Sequence, residues 1–231
     1  MAEPESAASR QRLRTRAGTL ECEVAGHGSP AIVLFNGAGM TMDSWRHLHP
    51  RLASLGRVFA WNRFGIEGSD SPRRPQTGAV VVASLRELMS YAAVEPPYVL
   101  VGHSLGALYA SLFARLHPSE VAGALFIAPS WGADAGTLQR NEPNFARALV
   151  KVQDVDAAVF DENLHAEIDA LAQLPQELEA AGEFPPVPFA QIGNDAGGHF
   201  PQIKDPSLVL GELAALLDKC GRAATHSGDE R

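Results

Sequence analysis

An α/β fold built on one mostly parallel, doubly wound sheet is predicted by three observations. Short apolar or β-branched runs end in glycine-containing turns, stretches of helical period separate these runs, and 45% of the 231 residues are hydrophobic. A chain of this length and composition can bury the core of one domain. Because strand and helix alternate, we expect right-handed crossovers between the strands and helices on both faces of the sheet.

The predicted elements follow one another from an edge hairpin to a closing helix. The segment RLRTRAGTLECEVAGHG, from Arg12, alternates in polarity and turns at Gly18, which predicts an antiparallel hairpin at one edge. Runs that are apolar on both faces predict buried parallel strands, and they begin at Ala31, Arg57, Pro97, Ala122 and Val187. Helical period predicts helices over residues 44–54, 80–92, 104–116 and 206–219.

One interval, residues 134–183, interrupts this alternation. It is acidic, rich in alanine and leucine, and helical in period, with prolines that start or break helices. A plain crossover needs far fewer residues, so the interval predicts a helical lid inserted over the end of the sheet, within a single domain of residues 1–231. Packing helices without a gating role are the alternative. Residues 1–10 and 225–231 are polar and poor in aromatics, which predicts frayed ends.

The charge balance limits the expected partners. With 19 Lys and Arg against 27 Asp and Glu, the formal charge of -8 repels nucleic acid and acidic membrane surfaces, so a small-molecule substrate is expected instead. Cys22 and Cys220 are too few for a disulfide framework or a cysteine metal cluster. The first residues, MAEPESAASR, lack the basic and apolar regions of a signal peptide. No stretch approaches the roughly 20 apolar residues of a membrane span, so we expect no span, and the few cysteines fit a reducing, cytoplasmic location.

A sharp turn from strand into helix is predicted at GHSLG, residues 102–106. The apolar run YVLV precedes it and the helical ALYASLFARLHP follows it. Such a turn needs small residues on either side of its apex, because a side chain there would strike the neighbouring backbone. The turn lifts Ser104 above the sheet at a helix N-terminus, where free amides and the helix dipole favour a developing negative charge. Ser104 is therefore the candidate nucleophile.

These motifs give nearly the whole folded chain a resemblance to the α/β-hydrolase superfamily, especially to its esterase-like members with a short lid. LFNGAGMTMDSW follows the third strand and resembles the family's oxyanion loop, with Asn36 in place of the usual histidine. The resemblance implies that the backbone amides of Ala38 and Leu105 would hold an oxyanion. WNRFGIEGSD loosely matches a normally structural region of the family, so we assign no catalytic role to Asn62 or Arg63.

One histidine and two aspartates are candidates for the base and the acid that would activate the serine. Among the eight histidines, His199 alone follows the last strand and precedes a helix, and GGHFPQIKDPSLV resembles the family's closing histidine loop. A solvated loop histidine is the alternative. Asp195 lies four residues before His199, so the family's intervening helix and strand are missing or fused, and the C-terminal part is shortened. Asp134 is the rival acid, and a site without an effective acid is the third possibility.

The resemblance implies a hydrolase that cleaves carboxylic esters through an acyl-enzyme on Ser104, with no metal or organic cofactor. An apolar pocket wall, suited to small or medium apolar acyl chains or aromatic esters, would be formed by Met40, Met42, Trp131, Phe145 and Phe160. Core packing is the alternative for these side chains, and it is the favoured one for the two phenylalanines.

Other functions stay open on the same fold, because fold does not fix reaction. A cofactor-free lyase, perhydrolase or oxygenase would use the same residues on another substrate. A non-catalytic member would only bind a ligand, its triad dismantled by the shortened C-terminal part. That shortening also leaves a sheet edge that a second subunit would cover, which predicts a possible homodimer.

Overall fold

The computed structural model describes residues 9–129, 167, 173–193 and 200–226. Seven strands in these ranges form one sheet in the order β1-β2-β4-β3-β5-β6-β7. The strands are β1 (Ser9–Thr15), β2 (Gly18–Ala25), β3 (Ala31–Phe35), β4 (Val58–Trp61), β5 (Tyr98–His103), β6 (Val121–Ile127) and β7 (Phe189–Ile192). The β1–β2 and β2–β4 pairs are antiparallel and the other pairs are parallel. The structure thus confirms a mostly parallel sheet with an antiparallel hairpin at one edge.

Helices pack on both faces of this sheet. They are α1 (His49–Leu55), α2 (Gly78–Tyr91), α3 (Leu105–Leu116), α4 (Leu174–Ala180), α5 (Pro201–Lys204) and α6 (Pro206–His226), with short 3-10 turns at Met42–Trp45 and Pro118–Glu120. The single helix predicted over residues 44–54 is wrong, since a 3-10 turn comes first and α1 begins only at His49. Pro50 explains the break, because proline lacks an N–H and is tolerated in the first turn of a helix but not in its interior.

Two apolar cores lie on opposite faces of the sheet. The side chains of β3 are all buried and alternate between them, with Ile32 and Leu34 in one core and Val33 and Phe35 in the other. Helices α2 and α3 cover the core that contains Phe35, and helices α1 and α6 cover the other. A parallel sheet covered on both faces explains why its strands are apolar on both sides.

The two cysteines lie on opposite faces of the sheet. Cys22 belongs to the core under α2 and α3, Cys220 belongs to the core under α6, and both are free. Burial raises the pKa of the Cys22 thiol to about 12 and also raises that of Cys220. Each therefore behaves as a small buried apolar side chain.

The ends of the described chain are more regular than the composition predicts. β1 begins at Ser9 and α6 continues to His226, so each element extends by two residues into a segment predicted to be frayed. At the other edge of the sheet, β7 pairs only with β6 among the described strands, and Phe189 is 44% exposed. None of the helices in the described ranges has the length and apolar character needed to cross a membrane.

Helix α4 lies inside the interval predicted to be a lid. Leu174 is buried in the core under α2 and α3. The carboxylate of Glu177 accepts hydrogen bonds from the amides of Gly78 (2.7 Å) and Ala79 (3.1 Å) at the start of α2. These contacts fasten α4 to the body of the domain. The rest of the interval before residue 173, apart from Glu167, lies outside the described residues, so the lid itself stays a prediction.

We expect Glu177→Ala to lower the free energy of unfolding by about 1 kcal/mol, because two amides at a helix N-terminus lose their acceptor and the helix dipole loses a nearby negative charge. Urea titration followed by circular dichroism measures this change. Glu179→Ala is the matched control, since Glu179 is exposed on the same helix. Equal effects of the two substitutions would contradict the capping role.

Candidate active site

Ser104 occupies the turn between β5 and α3. Its backbone has φ 52° and ψ -118°, a conformation that residues with a Cβ rarely adopt. The Ser104 amide donates to the carbonyl oxygen of Ile127 at the end of β6 (2.9 Å), and Ser104 is 3% exposed. The structure therefore confirms the sharp strand-to-helix turn and places Ser104 at the N-terminus of α3.

Two glycines allow this turn to pack. A Cβ at Gly102 would lie 2.6 Å from the Cα of Ala107, inside the first turn of α3. A Cβ at Gly106 would overlap the carbonyl oxygen of Phe35 and lie 2.6 Å from that of Asn36. Both obstacles are backbone atoms that cannot rotate away. The small residues on either side of Ser104 are thus required by the close approach of α3 to β5 and β3.

The loop after β3 is held by the side chain of Asn36. Its Nδ2 donates to the carbonyl oxygen of Trp61 at the end of β4, and its Oδ1 accepts from Nε1 of Trp45, each at 2.8 Å. Asn36 is 1% exposed, so both bonds lie away from water. Asparagine therefore supplies the fixed loop conformation at the position where the family usually has a histidine.

This loop touches the Ser104 turn. A Cβ at Gly37 would lie 2.7 Å from Nδ1 of His103, the residue before Ser104. Ala38 and Leu105 are 7% and 1% exposed. Within the described ranges, no residue accepts a hydrogen bond from the amide of Ala38 or of Leu105. Among the described residues, these two buried backbone donors therefore have no acceptor, and they lie on either side of this contact.

Asn62 is a structural residue in the next loop. It is fully buried; its Oδ1 accepts from the Met42 amide (2.7 Å) and its Nδ2 donates to carboxylate oxygens of Glu21 (2.7 Å) and Glu67 (3.1 Å). These bonds tie the loop after β4 to β2 and to the Met42–Trp45 turn. That Asn62 has no catalytic role stays a prediction.

Arg63, the next residue, forms a buried ion pair with Glu167. Each side chain is 4% exposed; Arg63 Nε contacts Glu167 Oε1, and Nη2 donates to Oε2 at 3.0 Å. Burial would lower the pKa of Arg63, but the charge and hydrogen bond of Glu167 outweigh it and raise that pKa. The guanidinium also lies over the ring of Tyr109, 5.6 Å from its centroid.

The sequence does not predict this pair. It indicates no catalytic role for Arg63, and Glu167 does not stand out in an acidic segment of helical period. The sequence feature that could have indicated a buried ion pair is an arginine two residues after a buried strand, because a buried guanidinium needs a carboxylate partner. The pattern could not identify that partner, because Glu167 lies 104 residues further along the chain.

Six of the residues predicted for the site or its pocket lie outside the described residues: Trp131, Asp134, Phe145, Phe160, Asp195 and His199. The chain on either side of residues 194–199 is described. Gly193 directly follows β7, where the carbonyl oxygen of Ile192 accepts from the Ala128 amide at 2.7 Å. Phe200 packs on the ring of His103 with 5.4 Å between ring centroids. Both ends of this loop therefore lie close to the Ser104 turn.

The two predicted pocket methionines differ in their surroundings. Met40 is 1% exposed, and its sulfur lies beside the loop, 2.9 Å from a Cβ placed on Gly37. Met42 packs into the core under α6 together with Trp45, so the core-packing alternative applies to Met42.

In the part of the chain that the structure describes, no three His, Cys, Asp or Glu side chains cluster as a metal site.

The sheet order, the strained serine turn and the adjacent loop define the class of protein. A family model described as alpha/beta hydrolase fold matches residues 30–180, well over half of the chain. The chain belongs to the α/β-hydrolase family. The fold and family expected from the sequence are thus confirmed.

Individual relatives of this chain have different activities. The chain is 29% identical to a pimeloyl-[acyl-carrier protein] methyl ester esterase of Edwardsiella ictaluri. The aligned region covers 46% of this chain and 38% of that esterase. The chain is also 38% identical to epoxide hydrolase B of Mycobacterium tuberculosis, over a region that covers 42% of this chain and 28% of that protein. The chain spans less than half of the length of these curated relatives.

A solved structure of a thermophilic esterase from Thermogutta terrifontis superposes over 92% of this chain and 99% of its own, with a TM-score of 0.66 and 19% identity. At this identity the likeness concerns the fold alone. The relatives thus include both an esterase and an epoxide hydrolase.

Proposed function

We propose that the chain is a serine hydrolase that cleaves carboxylic esters through an acyl-enzyme on Ser104. The observation that carries the proposal is the backbone conformation of Ser104, at φ 52° and ψ -118°, at the N-terminus of α3. Such strain costs free energy and persists only where the surrounding fold over-determines it, and strained residues cluster at active sites. Gly102 and Gly106 supply that surrounding structure.

Ala38 and Leu105 are the proposed oxyanion donors. Leu105 is the first residue of α3, where an amide has no partner within the helix and the helix dipole favours negative charge. Ala38 lies in the loop that Asn36 fixes and that touches the residue before Ser104. Fixed donors of this kind stabilise the tetrahedral intermediate of acyl transfer without reorganising during the reaction.

His199 is the proposed base. Support comes from the described chain at Gly193 and Phe200, which brings both ends of the intervening loop beside the Ser104 turn. Asp195, in the same loop, is the proposed acid, with Asp134 as the rival. The acid would hold the imidazole in one tautomer and stabilise its charged form after it takes the proton of Ser104.

The chemistry of serine favours esters over epoxides as substrates. Attack of a serine oxygen on an ester carbonyl gives an acyl-enzyme, whose own carbonyl water can attack to release the acid and free the serine. Attack on an epoxide carbon would give an alkyl ether, which has no carbonyl for water to attack. A serine at the turn therefore supports acyl transfer, although relatives of both kinds exist.

The proposed substrates are small or medium apolar acyl esters or aromatic esters. Met40, buried beside the loop, and Trp131 are the proposed apolar walls of the pocket. A series of p-nitrophenyl esters of increasing acyl length tests this preference, and the expected result is a higher kcat/KM for uncharged apolar acyl groups than for charged ones.

Labelling with a fluorophosphonate, located by intact mass and peptide mapping, tests the proposal. We expect rapid labelling at Ser104 in the wild type, none in Ser104→Ala, and a strong loss in His199→Ala. Either Asp195→Asn or Asp134→Asn should slow labelling, which identifies the acid. Ser90→Ala and His47→Ala are matched controls, since both side chains are exposed elsewhere on the domain.

The outcomes separate the remaining functions. An unlabelled but folded wild type would overturn the hydrolase proposal and favour a ligand-binding protein. Labelling at Ser104 without release of acid from any ester would favour lyase, perhydrolase or oxygenase chemistry with the same residues. Labelling together with release of the acid product supports ester hydrolysis.

A further inference from the structure

A buried ion pair lies directly against the proposed oxyanion loop. Arg63 follows β4, and Glu167 comes from a segment 104 residues further along the chain. Removing two charges from water costs several kcal/mol per ion, and a pair offsets this only when hydrogen bonds satisfy the remaining donors and acceptors. The other hydrogen-bond partners of Arg63 and Glu167 therefore show what this ion pair holds in place.

Those partners are consecutive backbone groups of the loop. Arg63 Nη1 donates to the carbonyl oxygen of Asn36 (2.8 Å) and Nη2 donates to that of Gly37 (2.7 Å). Glu167 Oε2 accepts from the amide of Gly39 (2.7 Å). One ion pair thus binds the loop on both sides of Ala38.

Peptide planarity converts these contacts into an orientation for Ala38. In a planar trans peptide the C=O and the next N–H point in opposite directions. Holding the Gly37 carbonyl toward Arg63 therefore directs the Ala38 amide away from Arg63. Holding the Gly39 amide toward Glu167 fixes the second peptide plane of Ala38 in the same way. Both planes that flank Ala38 are fixed by charge-assisted hydrogen bonds, which are stronger than neutral ones.

We propose that Arg63 and Glu167 are positioning residues that orient the Ala38 amide toward the oxyanion. This inference rests on the proposed function at Ser104. It gives Arg63 a role in the rate of the reaction, although this position is normally structural in the family. Neither residue needs to touch the substrate.

A change in stability does not by itself test this role, because removing the ion pair also leaves three buried backbone groups without partners. In Glu167→Gln the charge of Arg63 stays buried without its counterion. In Arg63→Met/Glu167→Leu both charges are removed together. We expect both variants to be less stable than the wild type, so the readouts that test the positioning role are kcat compared with KM and the state of the Gly39 amide.

Steady-state hydrolysis of a p-nitrophenyl ester gives the first measurement. We expect kcat to fall by about 10- to 100-fold in both variants, since losing one oxyanion donor entirely costs roughly 10²- to 10³-fold. KM should change less than about twofold, because the oxyanion forms after substrate binding. Affinity for a trifluoromethyl ketone, which forms a tetrahedral oxyanion adduct, should fall in parallel with kcat. Arg86→Met/Glu120→Leu is the matched control, as this partly exposed ion pair joins α2 to the Pro118–Glu120 turn.

Proton exchange and chemical shift of the Gly39 amide give a second measurement, which does not depend on activity. We expect protection and a downfield shift in the wild type, a smaller downfield shift in Glu167→Gln, whose amide oxygen can still accept but carries no charge, and loss of both in the double variant. A double variant with full kcat, or a Gly39 amide unchanged by these substitutions, would overturn the inference. An inactive wild type with a protected, Glu167-dependent Gly39 amide would instead overturn the proposed function and leave the orientation of the loop supported.

Discussion

Ser104→Gly is expected to unfold at a higher temperature than Ser104→Ala, while both variants lose about 10⁵-fold or more in kcat. Both substitutions remove the hydroxyl, so they differ only in the Cβ. With φ 52° and ψ -118°, a residue with a Cβ is strained by about 1–3 kcal/mol. The greater unfolded-state entropy of glycine offsets roughly 0.5–1 kcal/mol of that relief.

The expected difference in the free energy of unfolding is therefore about 1 kcal/mol in favour of glycine, or roughly 2–4 °C in Tm for a domain of this size. Calorimetry of the two variants, with ester hydrolysis measured on the same samples, checks both parts. Equal Tm values would mean that the Ser104 backbone relaxes in the folded protein and is not strained. Retained hydrolysis in either variant would remove Ser104 as the nucleophile.

Gly106→Ala is expected to destabilise the domain by about 3 kcal/mol and to abolish activity. The added Cβ overlaps the carbonyl oxygen of Phe35 and lies 2.6 Å from that of Asn36. These atoms belong to β3 and to the start of the loop, so α3 must move away from the sheet. That movement displaces Ser104 and Leu105, which precede Gly106 directly.

Gly211→Ala is the matched control for this substitution. Gly211 lies in α6, is exposed, and has no atom within 4 Å of an added Cβ. Because alanine favours helix over glycine by about 1 kcal/mol, the control should become slightly more stable. Urea titration of the two variants measures the contrast. A mild effect at Gly106 would show that α3 can shift without cost and would weaken the close-approach argument.

Much of the fold could be predicted because the periodicity of each segment reflects its burial. β3 and β5 are apolar on both faces since both faces are covered. GHSLG predicts its turn because the glycines are needed for local packing. The helix predicted over residues 44–54 is wrong because Pro50 is tolerated only in the first turn of a helix and so interrupts the helical period. Local rules of this kind act over a few residues, so they can be recognised in the sequence.

The candidate site was predictable only in part. Ser104, Ala38 and Leu105 lie in short motifs, and the structure brings the loop and the turn together. His199, with Asp195 or Asp134, stays a prediction that the labelling experiment decides. The sequence places Asn36 where the family usually has a histidine, but its two partners, Trp45 and Trp61, come from different elements and could not be predicted.

The sequence by itself determined the class of fold, the strand-to-helix turn and the serine at its apex, since each depends on neighbours a few residues away. The tertiary structure alone decided what fixes the loop around Ala38. Arg63 and Glu167 are 104 residues apart, and neither residue type is unusual in its own segment. Their pairing follows from the removal of both charges from water when the chain folds, a condition that exists only in the folded protein.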